Sequence, residues 1–422
     1  MPIIEGFDFF PLTFDDHGAL QSRQEFEALT ARAKSATDVV FIAHGFRNDE
    51  HDATSLYTRF LGTFRANLSR PEFSALANRQ FAFAGVYWPS KPFRESYDEG
   101  KSGTRGLQDA SPTLADAKAQ LEELKADDAS PEQRRNLDKA IALLPALEKN
   151  AQAQDEFVKL VLSLVDTSSD ADATEGLPQI SQRPGSEILA RLSGSAGEGT
   201  RGIGDVAGRL AGGVGQFLNL TTWYVMKERS GTVGATGVAQ CVRALRTSYP
   251  NLRLHVVGHS LGGRLAAACA KSLTAAPKVP LDSLMLLEAA FSHFGFSSDN
   301  GHGAAGFFRN VLVQQAVKGP FVSTFSAQDT VVGKAYSVMS RLAGDNTREI
   351  GDARDEFGGI GRNGPLKTSE VATARLNNAG TPYDLKDRVI NNLDGSGGLI
   401  KDHGDVTNAA VTYAFASAIA RT

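Results

Sequence analysis

A serine at position 260 lies in the pattern Gly-x-Ser-x-Gly, which runs from Gly258 to Gly262. The apolar segment 252–257 precedes this pattern and the alanine-rich segment 263–275 follows it, so the sequence predicts a strand, a sharp turn and a helix. Glycines two residues before and after the serine let neighbouring backbone approach the turn without a clash. The N-terminus of the following helix would offer N–H groups and positive potential to an oxyanion. The segment is therefore typical of a serine nucleophile.

A serine nucleophile needs a general base, and histidine suits this role because its side chain titrates near neutral pH. Three histidines follow Ser260 in the chain: His293, His302 and His403. His293 and His302 lie in a segment rich in glycine and serine, and we expect both to be solvated loop residues. His403 comes just before segment 408–420, which has the pattern of an amphipathic helix. We predict that His403 takes the serine proton and returns it to the leaving group.

A carboxylate beside the general base would fix the histidine tautomer and stabilise the imidazolium without becoming protonated. Asp329 follows one predicted strand, and Glu288 ends the predicted strand before it, so both carboxylates are candidates. Asp405 is too close to His403 in the chain to orient it, and we expect it to cap the last helix instead. We favour Asp329 and keep Glu288 as the alternative acid.

These residues need a scaffold that brings the ends of several strands together. Continuous apolar runs are typical of strands that a parallel sheet buries on both faces. Such runs alternate here with helical segments, which predicts a doubly wound, mostly parallel α/β domain. Segment 3–10 is expected to add strands at an antiparallel edge of the sheet, and the weaker run 388–393 to supply a last strand. The apolar runs are residues 38–43, 81–87, 252–257, 283–288 and 321–325.

The alternation of strands and helices stops between residues 93 and 218, where no strand-like run occurs. Helical periodicity is present instead, with Ser130 and Pro131 placed as N-cap and first helical residue. A glycine-rich tract follows over 194–215, and its four-residue spacing of small residues favours a close-packed or mobile lid over membrane insertion, because charges interrupt it. We predict a catalytic domain of residues 1–93 and 219–422, with residues 94–218 inserted as a lid or cap.

The chain resembles the α/β-hydrolase superfamily over about residues 7–93 and 220–420. The letters GHSLGG around Ser260 are similar to the serine motif of lipases and esterases, and residues 40–46 resemble the oxyanion loop that follows the third strand. Residues 87–90 and 222–229 resemble a poorly characterised bacterial branch of this superfamily, for which no substrate is secure.

The resemblance implies an α/β-hydrolase fold and the chain order serine, acid, histidine, with the histidine just before the last helix, as His403 is. It also implies an oxyanion hole built from the backbone N–H groups of Leu261 and Phe46. Two further histidines, His44 and His259, are interpreted as structural, with His259 pointing away from the reacting face.

These features predict a serine hydrolase that cleaves a carboxylic ester through an acyl-enzyme, in the manner of an esterase or lipase. Thioester cleavage and acyl transfer need the same groups and stay open, as does a non-catalytic binding or scaffold role on the same fold. The expected partner is a small ester or a lipid, with transient contact between the insertion and a lipid surface allowed. The sequence does not predict an oligomeric state.

Composition argues against several other classes of protein. The 422 residues are 41% hydrophobic and 22% charged, as in ordinary globular proteins. A net charge of −4 does not favour nucleic-acid binding. The region from His44 to Asp52 is rich in metal-binding residue types but fits no zinc or calcium pattern, and no phosphate or dinucleotide loop is present. We therefore expect no metal and no cofactor.

Cysteine content and the N-terminal segment bear on location. Cys241 and Cys269 are the only cysteines, which suits a reducing compartment and excludes a disulfide scaffold. The first residues lack the pattern of a signal peptide, and no apolar run is long enough to span a membrane. We expect a cytoplasmic protein, while secretion without a signal peptide would leave no trace in the sequence.

Overall fold

The computed structural model describes residues 2–90, 113–126, 129–165, 173–195, 206–301, 303–343 and 353–422. Within these ranges the strands form one sheet of nine, in the order β1-β2-β4-β3-β5-β6-β7-β9-β8. All neighbouring strands pair in parallel except β1 and β2. The strands are β1 Ile3–Ile4, β2 Phe7–Thr13, β3 Asp38–Ala43, β4 Phe81–Tyr87, β5 Arg253–His259, β6 Ser283–Leu287, β7 Phe321–Phe325, β8 Val371–Arg375 and β9 Ile390–Asp394.

Helices connect the strands and cover both faces of the sheet. A π-helical segment, Val233–Val238, joins α8 to α9. The described α-helices are α1 Arg23–Ala33, α2 Glu50–Leu68, α3 Leu114–Ala126, α4 Pro131–Leu143, α5 Ala151–Leu162, α6 Leu177–Ser181, α7 Gly185–Ser195, α8 Val206–Thr232, α9 Ala239–Ser248, α10 Leu261–Ser272, α11 Arg309–Val313, α12 Thr330–Ala343, α13 Ile360–Asn363 and α14 Ala409–Ala420.

The predicted doubly wound, mostly parallel α/β fold is confirmed, and each of the five apolar runs forms a strand. The expected antiparallel edge is correct only for β1, because β2 pairs in parallel with β4. The weak run near residue 390 is strand β9. The sequence does not predict strand β8, because VATAR contains no continuous apolar run. The strand lies at the edge of the sheet, where its residues are half-buried or exposed.

The two sides of the sheet bury separate apolar clusters, because successive side chains of a strand point to opposite faces. Phe9 packs into the cluster that α2 and α14 cover, where the rings of Phe60 and Phe415 lie 5.3 Å apart. Phe10, the next residue, packs into the cluster that includes Leu265 of α10. Burying each such side chain contributes about 1.5–3 kcal/mol, so the sheet is fixed from both faces.

The region predicted as an insertion is helical where the structure describes it. Helices α3 to α7 fall within residues 94–218, and α8 continues through residue 218 to Thr232. Ser130 and Gln133 form a capping box at the start of α4, as the Ser-Pro step indicates. Leu121 and Phe157 belong to the same buried cluster as Phe41 of β3. The helices of this region thus share the core of the sheet, and their separation as a lid stays a prediction.

A buried ion pair lies at the amino ends of the central strands, opposite the end that carries Ser260. The Asp38 carboxylate, with no exposed surface, pairs with Arg79 and contacts Nε2 of His255 at 3.0 Å. Arg79 also donates to the carbonyl of Ile419 at 2.9 Å, which fixes the end of α14. Burial alone would raise the pKa of Asp38, but its bonds to Arg79 and His255 hold that pKa well below the usual range.

We expect Asp38→Asn to lower the free energy of unfolding at pH 7 by about 3 kcal/mol, because Arg79 would remain buried without its charge partner. A carboxyl whose folded-state pKa is depressed stabilises the fold above its unfolded pKa, near 4, and loses that contribution as the pH falls. The difference between the two proteins should therefore shrink below pH 4. Urea unfolding followed by circular dichroism at several pH values measures it.

Asp387→Asn is the matched control, because Asp387 pairs with Arg421 at 3.7 Å with both side chains about 45% exposed. Such an exposed pair should change the free energy of unfolding by less than about 0.5 kcal/mol. Equal unfolding midpoints for the two variants at pH 7 would contradict a stabilising role for Asp38.

Candidate active site

Ser260 lies on a tight turn between β5 and α10, as predicted. Its backbone has φ 58° and ψ −123°, a conformation that costs a non-glycine residue energy and occurs where the surroundings enforce it. The N–H of Ser260 donates to the carbonyl of Leu287 at 3.0 Å, and its carbonyl accepts from Ala290 N–H at 3.0 Å. Backbone bonds to the segment that ends β6 therefore hold the strained turn in place.

Close backbone packing explains the two glycines of the motif. A Cβ on Gly258 would lie 2.0 Å from the carbonyl oxygen of Gly262. A Cβ on Gly262 would lie 2.4 Å from the carbonyl oxygens of Ala43, which ends β3, and of His44, which follows it. Any side chain at these positions would push apart α10, β5 and the loop after β3.

His403 and Asp329 meet at the same end of the sheet. Nδ1 of His403 lies 2.8 Å from Oδ2 of Asp329. Asp329 follows β7 and precedes α12, and its Oδ1 accepts a hydrogen bond from the backbone N–H of Val332 at 2.9 Å. His403 lies in the loop between β9 and α14. The two side chains, 74 positions apart in the chain, therefore form a hydrogen bond, and their roles as general base and orienting acid stay predictions.

The environment of Asp329 favours its charged form. Burial alone would raise the pKa of Asp329, but the charge and hydrogen bond of His403 and the N–H of Val332 lower it below the usual value. Asp329 is fully buried, so water does not weaken these interactions. An ionised Asp329 can accept a hydrogen bond from Nδ1–H of His403, which leaves Nε2 free to act as a base.

Glu288, the alternative acid, is also fully buried, but it makes no hydrogen bond to His403. Burial and the neighbouring Asp329 carboxylate raise its pKa well above the usual value. A carboxyl that holds its proton does not stabilise an imidazolium as an ionised one does. The geometry therefore joins His403 to Asp329 and not to Glu288.

His259 connects His403 to the serine turn. Its Nε2 lies 2.7 Å from the carbonyl oxygen of His403, and the two rings are 4.8 Å apart. Burial lowers the pKa of His259 to about 3, so its ring is neutral and donates the Nε2 proton to that carbonyl. The expectation that His259 points away from the reacting groups is wrong, although its contact supports the backbone of His403. A sequence gives no sign of this bond across 144 positions.

No hydrogen bond joins Ser260 Oγ to His403 Nε2 among the residues that the structure describes. Catalytic hydrogen bonds are often long without a substrate and tighten when one binds. His259 and Ser260 are adjacent in the chain, so the contact between His259 and His403 places His403 near the serine turn.

The loop after β3 lies directly against Ser260. A Cβ on Gly45 would lie 2.7 Å from Cβ of Ser260, so only glycine fits this approach. His44 donates from Nδ1 to the Gly45 carbonyl at 3.0 Å, and its ring stacks on Trp88 at 5.6 Å. Burial lowers the pKa of His44 to about 4, so its ring is neutral. As predicted, His44 holds the loop, in which Phe46 is half-buried.

Two minor expectations are corrected. His293 is fully buried, with Nδ1 3.1 Å from the Asn363 side chain, and is not a solvated loop residue. Asn408, rather than Asp405, caps α14 by accepting from Ala410 N–H at 3.0 Å. His302 lies outside the described residues.

The side chains of Asp49, His51 and Asp52 lie close enough together to hold a metal ion. Asp49 and Asp52, however, form the capping box that begins α2, with Asp49 Oδ1 accepting from Asp52 N–H at 2.8 Å. Exposed acidic groups at a helix start commonly have this role, and we propose no metal site there.

Membrane-spanning helices are a separate question. In the part of the chain that the structure describes, no helix is long and apolar enough to cross a membrane.

A mostly parallel sheet, a serine on a strained strand-to-helix turn, and a histidine that precedes the last helix and contacts an aspartate are the arrangement of the α/β-hydrolase fold. The family model described as Lipase (class 3) matches residues 209–291, which include the serine turn. Over these residues the chain is similar to class 3 lipases, and its α/β-hydrolase fold agrees with that similarity. Comparisons with curated proteins and with solved structures gave no match.

We expect His259→Ala to lower kcat/KM for a nitrophenyl ester about 10- to 100-fold, because His403 would lose the hydrogen bond that holds its backbone and a small misplacement of a base is costly. Steady-state assays with purified protein measure this change. His51→Ala replaces an exposed histidine and should leave kcat/KM unchanged. Wild-type turnover in a folded His259→Ala protein would contradict the role of His259.

Proposed function

We propose that this protein hydrolyses carboxylic esters with Ser260 as nucleophile, His403 as general base and Asp329 as the orienting acid. The hydrogen bond of 2.8 Å between His403 and Asp329, beside the strained serine turn, is the observation that carries the proposal. The match to the Lipase (class 3) model over the serine turn agrees with ester chemistry.

The first half of the reaction transfers the acyl group to the enzyme. His403 Nε2 takes the Ser260 proton while the serine oxygen attacks the ester carbonyl, and Asp329 stabilises the imidazolium that forms. His403 then gives the proton to the departing alcohol, and an acyl-serine remains. Water, deprotonated by the same histidine, attacks this acyl-enzyme. The histidine then returns that proton to the Ser260 oxygen as the carboxylic acid leaves.

Two backbone N–H groups are proposed to bind the oxyanion of both tetrahedral intermediates. Leu261 is the first residue of α10, where helix N–H groups point outward and the helix dipole favours negative charge. Phe46 follows Gly45, whose backbone touches Ser260. Each such donor contributes about 3 kcal/mol to the stability of the transition state.

We also propose that residues 94–218 form a cap over the site, as the sequence predicts. Glu175 supports this placement, because its Oε1 accepts from Ser292 N–H at 2.9 Å and its Oε2 from Tyr336 at 2.7 Å. Glu175 also pairs with Lys227 of α8, and both side chains are buried.

The substrate is proposed to be a small ester or a lipid. A cytoplasmic location is proposed because Cys241 and Cys269 are free, buried thiols.

The test is labelling of the folded protein with a fluorophosphonate, which modifies an activated serine. Wild type should be labelled at neutral pH, and Ser260→Ala should not. Ser417→Ala, which changes a half-buried serine of α14, should be labelled as wild type is. Equal labelling of Ser260→Ala, or none of wild type, would refute the proposal.

We expect Asp329→Asn to lower kcat about 10⁴-fold, because an amide does not enforce the required tautomer of His403 or stabilise its charged form. A series of nitrophenyl esters of increasing chain length, assayed with and without detergent, measures kcat and also defines the acyl preference. A loss of less than tenfold would move the role of orienting acid to another group.

A further inference from the structure

Glu288 is a buried carboxyl group that the reaction steps above do not use. It directly follows β6, has no exposed surface, and has a positive φ of 44°. A Cβ on Gly361 would lie 2.5 Å from the Glu288 carbonyl carbon, so α13 packs directly onto this backbone. The strained and tightly packed backbone holds the carboxyl group in the interior, at the end of the sheet that carries Ser260.

Neither carboxyl oxygen of Glu288 receives a hydrogen bond from a donor in the described structure. The Thr324 hydroxyl on β7 accepts from the backbone N–H of Glu288 at 3.4 Å, and it lowers the pKa of Glu288 less than burial and the Asp329 carboxylate raise it. A buried carboxylate without donors is costly, whereas a protonated carboxyl has an O–H of its own to donate. The surroundings of Glu288 therefore fit a donor and not an anion.

The charged groups around Glu288 lead to the same conclusion. The neighbouring Asp329 carboxylate and, to a smaller extent, Asp394 of β9 raise the pKa of Glu288. Helix α13 links the two acids, because Gly361 packs on the Glu288 backbone and Arg362 donates to the backbone carbonyl of Asp329 at 3.2 Å and not to Glu288. On the β5 side, His259 is buried and neutral. Asp329 is thus the acceptor in reach, and its pairing with His403 favours the anion on Asp329.

We propose that Glu288 is a positioning residue that stays protonated and donates its carboxyl proton to Asp329, holding that carboxylate against His403 Nδ1. This inference rests on the proposed function, since it assigns Asp329 as the orienting acid. Asp329 would then be fixed by three donors, which are the N–H of Val332, the ring N–H of His403 and the O–H of Glu288. Burial and the charge of Asp329, which raise the pKa of Glu288, agree with a retained proton.

Two substitutions separate the donor role from simple packing. Glu288→Gln keeps the shape and an N–H donor, so it should retain kcat within about threefold and leave the acid limb of the pH–rate profile in place. Glu288→Leu removes the donor, so kcat should fall about 10- to 100-fold because Asp329 is less well held. The acid limb should also move to higher pH, because Asp329 without this bond attracts the proton on the histidine more strongly.

An ionised Glu288 would give a different result. Glu288→Gln would then remove a negative charge near His403, and the acid limb would move to lower pH by about one unit. That shift would overturn the proposal, as would a folded Glu288→Leu protein with the kcat and pH profile of wild type. A loss of thermal stability alone, with an unmoved acid limb, would reduce Glu288 to a packing residue and also overturn it.

Infrared difference spectroscopy gives a readout that does not depend on turnover. The carbonyl stretch of a protonated carboxylic acid should be present in wild type at pH 7 and absent in Glu288→Gln. Glu370→Gln is the matched control, because Arg309 lowers the pKa of Glu370 to about 2 and the loss of this ionised glutamate should leave that band unchanged. Absence of the band in wild type would refute the proton on Glu288. Absence of labelling and ester turnover would refute the proposed function, whatever the band shows.

Discussion

Close contact between backbone segments at one point is the constraint on which the site depends. The residues Gly258, Gly262 and Gly45 lack a Cβ where β5, α10 and the loop after β3 meet at Ser260. Ala43 and Gly258 are register partners in neighbouring parallel strands, so both strands end at the same level. Because the carboxyl ends of parallel strands share one edge, the serine, the loop against it and the helix N-terminus come together without any long connection.

Burial and the neighbouring groups together determine the protonation state of each group around that point. His44 and His259 are buried with backbone carbonyls as acceptors, and burial keeps both rings neutral. Asp329 is equally buried, but its contacts with His403 and with a backbone N–H favour the anion. Glu288 has no donor and lies beside that anion, so its proton is favoured. Groups of the same chemical type thus differ in charge because of their partners and not because of depth alone.

Local patterns account for the parts of the fold and site that the sequence predicts. The turn at Ser260 and the buried strands carry their own glycine or apolar signatures, and His403 and Asp329 follow from chain order and strand ends. Strand β8 has no such signature, because it is half-exposed to exposed at an edge. The burial of His293 and the bond from His259 to His403 arise from contacts between segments far apart in the chain. Local patterns do not encode such contacts.

The buried cluster around Glu175 couples the helical region to α12, the helix that follows Asp329. Glu175 contacts Tyr336 of α12, and the helix begins one residue after Asp329. Lys227 forms an ion pair with Glu175, and its Nζ lies 4.3 Å from the centre of the Trp223 ring on α8. Breaking one partner of such a buried pair costs about 3–5 kcal/mol. A cap that opened by withdrawing Glu175 would leave Lys227 buried without its charge partner and would disturb α12. Any opening that preserves the His403–Asp329 bond must therefore keep Glu175 in place.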